Sequence, residues 1–456
     1  MSAARVTAGR AARKRTPLDR HGVFQPPADR PDPVDIVLAQ EKDRIPELLN
    51  LRHERMRASP LAFYRGAAAV MAADLVTQPG SGLVTQLCGD AHLYNFGLFA
   101  SPERRLVFDL NDFDETWPGP FEWDVKRLLA SVALAGRANG FGRRDRAVIL
   151  LRAARRYRET MAAFAGMSEL DVWYARADVD DLVERLDHDR RRKVLQVGAK
   201  ARGRTGLQAY RKLTTVVDGR RGIAADPPLL VPVSDLLPEL DRLQLEDRIR
   251  ALLAGYRSTL AEDRRHLFDA FRYVDMARKV VGVGSVGTRC WIVLLTARDD
   301  TDPLLLQVKE AGPSVLATAT VWAAAGPAPG LAAGTDGEGH RVVAGQRLMQ
   351  ATSDIFLGWH RVPGIDGRTR DFYVRQLRDW KGSVPTEEMN PRGLRAYAEL
   401  CSWTLARAHA RSGDRVAIAA YLGDSDRFDR ALAEFAESYA TRSELDHIAF
   451  RAATKP

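Results

Sequence analysis

The chain has 456 residues, enough for two to four domains or one large two-lobed unit at roughly 100–200 residues per domain. Its 45% apolar and 28% charged residues are ordinary for a globular protein, and no apolar run reaches the roughly 18 residues of a spanning helix. The three cysteines (Cys88, Cys290, Cys401) are far apart and form no metal-ligand spacing. Composition thus excludes a membrane-spanning protein, a disulfide scaffold and a zinc finger, and a reducing, cytoplasmic setting is expected. Net charge is +9, of which residues 1–30 supply +5, from seven Arg/Lys against Asp19 and Asp29.

In chain order, residues 1–33 read as a basic, disordered arm with too few apolar residues to fold, and no apolar stretch follows to make a secretory signal. Helical periodicity runs from Val34 to about Met56 and is broken at Ser59-Pro60. Residues 61–76 read as one helix, 82–90 as a strand and 105–112 as another. Helices are predicted over 125–138 and 144–166, and a helix-rich, charged stretch over 168–265 with a loop at DGRRGIAADPP. From about residue 271 short apolar runs, KVVGVGSVG, TRCWIVLLTA, PLLLQVKEA and DFYVRQLRDW, predict strands. The Gly/Ala-rich stretch 323–339 reads as a loop. Helices return over 394–412 and 427–448. The expected units are thus the arm 1–33, a helix-rich lobe 34–268, a small β lobe 269–385, and C-terminal helices 386–456 that pack on the large lobe.

Three constellations carry chemistry. Asp90 ends a predicted strand and Asn95 follows five positions later, with His92 between them. A kinase needs this pattern, a carboxylate for the substrate hydroxyl and an amide oxygen on the same loop for magnesium. Next, Asp109, Asp112, Asp114 and Glu115 crowd into one acidic segment, and such crowding asks for a cation. Asp112 and Asp114 share a face of an alternating strand that Asp109 opposes. Third, Gly282, Gly284, Ser285 and Gly287 lie between two apolar runs, and Lys309 ends a third. Strand, Gly loop, strand and lysine is the kinase arrangement for covering and pairing nucleotide phosphates, whereas a Rossmann turn needs a helix after the glycines. Lys309 and Asp112 are expected on the order of 4–10 Å apart, since both would meet one triphosphate. Removing Lys309 is expected to leave the fold intact. Arg65, alone in an apolar helical run, could clamp a phosphate or carboxylate, or pair with the acidic segment. His409, Ser412 and Asp414 read as a helix C-terminus with Gly413 at its end, in preference to a nucleophilic triad.

Taken together, SPLAFYRGAA, GDAHLYNFG, FDLNDFDET, VGVGSVGTR, GQRLMQATSDIFLGW, RQLRDWKGS and LARAHARSGD resemble the bacterial family called domain of unknown function 2252. More distantly, GDAHLYN followed by NDFDETWPGPFEWDV is similar to the motifs of aminoglycoside and choline phosphotransferases, which have a protein-kinase-like fold. That second resemblance implies Asp90 as catalytic base, Asn95 and Asp112 as magnesium ligands and Asp124 as a structural aspartate. There are departures: Cys88-Gly89-Asp90 replaces HRD, Asp114 replaces the DFG glycine, and Glu310, next to Lys309, points the wrong way to be its partner.

The expected fold is α+β, a protein-kinase-like two-lobed fold with a helix-rich large lobe and a small antiparallel β lobe. It would be circularly permuted, because Asp90 and Asp112 precede the Gly loop and lysine. The expected function is transfer of the ATP γ-phosphate, with Mg2+, to the hydroxyl of a small molecule. The alternatives are a non-catalytic nucleotide-binding scaffold and a metal-dependent hydrolase using His92 and the acidic cluster. Expected partners are a nucleotide and a small acceptor, with no membrane, and with nucleic acid only weak contacts of the basic arm.

Overall fold

In the computed structural model, residues 3–184, 188–217, 219–240, 242–319, 331, 333, 336–363 and 367–455 are described. The chain opens with helices α1 (Ala3–Arg15), α2 (Pro33–Ala39), α3 (Leu49–Arg57), α4 (Pro60–Gly66) and α5 (Ala68–Val76). Strands β1 (Val84–Leu87), β2 (Phe96–Ala100), β3 (Leu106–Leu110) and β4 (Trp117–Pro120) lead into α6 (Phe121–Ala138) and α7 (Arg143–Ala165). A middle stretch follows: α8 (Glu169–Tyr174), β5 (Ala177–Asp178), α9 (Val179–Glu184), α10 (His188–Arg202), α11 (Gly206–Leu213) and the strands β6 (Thr214–Val217), β7 (Arg220–Ile223) and β8 (Leu230–Pro232). Helices α12 (Val233–Leu236), α13 (Arg242–Arg257) and α14 (Glu262–Phe268) come before β9 (Arg272–Lys279), β10 (Cys290–Thr296) and β11 (Pro303–Ala311). The chain closes with α15 (Val315–Ala319), α16 (Glu338–Met349), β12 (Gly358–Pro363), β13 (Thr369–Gln376), α17 (Pro391–Ser412), α18 (Arg415–Leu422) and α19 (Arg427–Ala453).

This is a mixed α+β architecture with antiparallel sheets. The main sheet has the order β12-β13-β11-β10-β9-β8, while β1-β4, β2-β3-β5 and β6-β7 form smaller sheets. Pro60, Pro33 and Pro391 each begin a helix behind a capping Ser59, Asp32 or Asn390, whose side chain accepts a backbone N–H. The Ser59-Pro60 break is therefore also a start. Two cores meet. The larger joins α6, α7, α17 and α19 around Leu128, Tyr157, Leu405 and Phe435, and also holds the site strands β1–β3. The other packs α13 and α14 on the main sheet through Tyr256, Phe268, Val293 and Leu306.

Several expectations change. Residues 1–33 are not an arm without structure, because Ala3–Arg15 is a helix that buries Gly9 and Ala12 against α18. The 61–76 helix splits at Ala67, where Arg127 Nη2 takes the Tyr64 carbonyl at 2.7 Å and ends the ladder. The loop expected at 218–228 contains the strand β7, which pairs with β6. The main sheet draws on residues before 269, since β8 is its edge strand and α13 and α14 cover one face. Most of the Gly/Ala-rich stretch 323–339 lies outside the described residues, but its end, from Glu338, is helix. No helix among the described residues is long and apolar enough to cross a membrane, and all three cysteines are free and buried.

Candidate functional site

Strand β1 delivers Cys88-Gly89-Asp90 to the junction of the two cores. Gly89 has φ +85°, and a Cβ there would lie 2.0 Å from the Glu115 carbonyl oxygen, so this position requires glycine. Asp124, in the first turn of α6, accepts the amides of Cys88 at 2.8 Å and Gly89 at 3.1 Å and so fixes the loop. Behind it stands His409, with Nε2 3.3 Å from Asp124 and Nδ1 2.8 Å from the Tyr157 hydroxyl. Asp90 Oδ1 takes Arg127 Nε at 2.8 Å, and its Oδ2 lies 3.6 Å from His92 Nε2. Burial lowers the His92 pKa to about 4, against the pull of Asp90. The ring is therefore neutral at pH 7. Its Nδ1 accepts from Tyr94 N at 3.2 Å, which leaves the proton on Nε2, toward Asp90. Asn95 donates Nδ2 to the Asp90 carbonyl at 2.8 Å, leaving its amide oxygen as an acceptor.

The acidic segment lies past the end of β3. Lys309, on β11 of the Gly-loop sheet, reaches Asp114 at 2.5 Å and Asp112 at 3.8 Å, the latter just under the expected 4–10 Å. Tyr373, the β13 register partner of Lys309, donates to the other Asp114 oxygen at 2.6 Å. Burial disfavours the Lys309 charge, yet the two carboxylates hold its pKa well above the ordinary lysine value. Burial and the neighbouring Asp114 push Asp112 up. Burial also opposes the Asp114 charge, but Lys309 and the Tyr373 hydroxyl more than offset it and hold that group below the usual range. Lys309 is only 3% exposed and neutralises two carboxylates, so it does not stand free of the fold as expected from its strand-end position. Arg341 of α16 donates to the carbonyls of Asp114 (2.9 Å), Thr116 (2.6 Å) and Gly312 (2.8 Å), tying the acidic segment to the sheet.

Between β9 and β10, Gly282 and Gly287 have φ of +64° and +89°. A Cβ on Gly284 would meet the Arg65 carbonyl oxygen at 3.1 Å, so the loop tip rests on α4. Arg44 and Arg52 both donate to the Gly284 carbonyl, at 2.8 and 3.1 Å, and Arg55 donates to that of Gly282 at 2.6 Å. The Thr288 hydroxyl donates to the Ser285 carbonyl at 2.9 Å.

The family model of DUF2252, described as an uncharacterized protein conserved in bacteria, matches residues 44–453. The chain belongs to the DUF2252 family. No curated protein and no solved structure matches it. In this DUF2252 chain every predicted site residue falls within the matched stretch, whereas α1 and α2 precede it.

Not every predicted residue joins the cluster. Asp109 is buried and pairs with Arg407 at 2.5 Å and the Ala351 amide at 2.9 Å, which accounts for its charge without a metal. Arg65 makes no ion pair with the acidic segment and stacks over Tyr94 at 4.3 Å. Glu310 pairs with Arg289 and Arg370, as its opposite direction on the strand required. His409, Ser412 and Asp414 serve separate partners: Asp124, the Thr85 hydroxyl and the α18 N-terminus. Gly413 follows the end of α17 with φ −115°, so it is needed for close approach to Thr85 and not for a left-handed turn. Arg127, Tyr373 and Arg341 escaped sequence reasoning. Arg127 follows Asp124 by one helical turn and Tyr373 shares a strand face with Arg375, signals legible only once a partner is known. A cavity of about 390 Å³ lies apart, among Leu253, Arg257, Phe268 and Phe271, and none of the predicted site residues lines it.

Proposed function

We propose that this DUF2252 chain is a phosphotransferase with a permuted, protein-kinase-like arrangement, moving the γ-phosphate of ATP to a hydroxyl of a small molecule. The observation that carries the reading is the meeting of Lys309, from the Gly-loop sheet, with Asp112 and Asp114 across the junction from Asp90. Lys309 lies on β11, the second strand after the loop, where protein kinases carry the phosphate-pairing lysine. Lys309 and the loop Gly282, Gly284, Ser285 and Gly287 would hold the phosphates. A small cavity of about 80 Å³ between Leu98, Asn111, Leu377 and Arg375 adjoins the cluster.

Asp112 and the Asn95 amide oxygen suit a hard, oxygen-seeking cation. Among the described residues no group of three His, Cys, Asp or Glu could hold a metal ion, so phosphate oxygens would complete the shell. Magnesium bound there would neutralise charge on those oxygens. Asp90, 18% exposed at its side chain, would receive the acceptor hydroxyl, with Arg127 and His92 fixing its orientation. A nucleotide-binding scaffold without turnover is the second reading. Asp114 occupies Lys309, and Glu338, the acidic residue of α16, pairs with Arg341 at 2.5 Å instead of with the lysine.

The test is thermal shift with ATP, with and without magnesium, followed by a turnover assay. Ligand at 100-fold excess over Kd adds roughly 2.7 kcal/mol of stability. Because Lys309→Ala strands two carboxylates, the double variant Lys309→Met/Asp114→Asn is the informative one. It should stay folded and lose the nucleotide shift, while Asp114→Asn alone keeps it. Asp112→Asn should lose the magnesium-dependent part. Asp90→Asn should bind and not turn over. A wild-type chain that ignores ATP with and without magnesium would falsify both readings.

A further inference from the structure

Arg65 stands one residue before the end of α4 with its guanidinium on the Asp90 side of the junction. Its Nε is buried and makes no hydrogen bond, and among the described residues no carboxylate pairs with it. Its contact is the Tyr94 ring, 4.3 Å from the guanidinium carbon. That ring is held in place, since the Tyr94 hydroxyl donates to Glu387 at 2.5 Å and accepts from the Thr386 hydroxyl at 2.7 Å. Burial disfavours the Arg65 charge, opposed by Tyr94, Asp90 and Glu387.

Stacking on an aromatic ring contributes roughly 0.5–2 kcal/mol. A buried donor left unsatisfied costs about 1–3 kcal/mol, and more when charged. The contact with Tyr94 leaves the buried Nε without an acceptor, while Arg65 as a whole is half-buried. Asp90 does not supply one, since its Oδ1 is already taken by Arg127. The charged groups that face Arg65 are Asp90 and Glu387, and neither pairs with it, so its fork is left open to a ligand oxygen.

We propose that Arg65 recognises the acceptor, binding a phosphate or carboxylate group of the small molecule whose hydroxyl meets Asp90. The inference rests on the phosphotransferase reading and adds the substrate class, an anionic hydroxyl compound. The acceptor is favoured over the nucleotide because Arg65 sits on Tyr94, in the same loop as Asp90, whereas Lys309 and Asp112 lie on the phosphate side. Arginine suits the task, since its planar fork pairs two oxyanion oxygens at once.

The experiment is calorimetric titration of inorganic phosphate, and separately of malonate, into the full chain saturated with magnesium and the non-hydrolysable β,γ-imido analogue of ATP. One probe should bind the wild type, and Arg65→Gln should weaken it by about tenfold or more. Arg65→Lys keeps the charge and serves if the glutamine variant melts early; it should bind more weakly than wild type with an unchanged circular dichroism melt. Equal binding by folded variants overturns the proposal, as does a wild type that binds neither probe. Phosphate that binds only without the analogue assigns Arg65 to the terminal phosphate of the nucleotide, which overturns the acceptor role and leaves the nucleotide reading standing. An analogue that fails to bind, with phosphate still dependent on Arg65, removes the phosphotransferase reading and with it the acceptor role.

Discussion

Lys126 of α6 carries its ammonium into the helical core, 4.6 Å from the Phe435 ring of α19 and 1% exposed. Burial lowers its pKa from 10.5 to about 8, only partly opposed by Glu122. Between those values the unfolded chain binds the proton more tightly, so stability rises with pH across that window and the full cost is present below it. His21, which faces Lys126, is neutral throughout, because burial and that same lysine lower its pKa to about 3. Lys126→Met should therefore raise the melting temperature at pH 7, by on the order of 1–3 kcal/mol of stability after the lost ring contact. The gain should shrink as pH approaches 10.5. A variant less stable than wild type at neutral pH would show that the charge is compensated. Lys309, the other buried lysine among the described residues, was conspicuous in the sequence because lysine is rare there and a glycine loop lies upstream. Lys126 was not, because an amphipathic helix tolerates lysine on its polar face and the sequence does not say that α19 covers that face.

At the scale of elements, α1 is the segment whose reading changed most. Its composition, rich in arginine and alanine, offers little apolar surface, and the expectation of an arm followed from that. The helix docks by close approach. A Cβ on Gly9 would lie 2.2 Å from the Ala417 carbonyl oxygen, and Ala12 is fully buried. Arg13 donates to the carbonyls of Tyr421 and Ala420 in the last turn of α18, where the helix dipole favours a cation. Gly9→Val should push α1 off this seat, costing about 1–3 kcal/mol as overpacking does. Trypsin should then cut within residues 1–16 faster than in wild type. Unchanged cleavage together with an unchanged melt would mean that α1 does not dock in solution. By contrast α6, α7, α17 and α19 were legible almost to their ends, because their buried faces are long apolar stripes.

For the whole molecule, the decisive contacts are those that join the sheet to the helical core. Arg341 is fully buried and holds three carbonyls from the segments 114–116 and 312. Arg341→Met would strand those carbonyls and the Glu338 carboxylate, which pairs with Arg341 at 2.5 Å. The expected loss is roughly 3–5 kcal/mol. Lysine should not rescue it, since one ammonium cannot span positions that a guanidinium fork reaches. Differential scanning calorimetry is the measurement, and a melt within a degree or so of wild type would remove Arg341 from this role.

Sequence by itself determined the mixed α+β class and the long helices α6, α7, α17 and α19, because these depend on periodicity and residue type over short stretches. Tertiary structure alone decided which acidic residue meets the lysine. Alternation sets Asp109 apart from Asp112 and Asp114 but does not name partners; Arg407 arrives from α17 to take the first, while β11 delivers Lys309 to the other two, nearer Asp114 than Asp112. It also decided that Arg65 has no counter-ion, since pairing depends on which carboxylates fold within about 4 Å, a distance that no local pattern encodes.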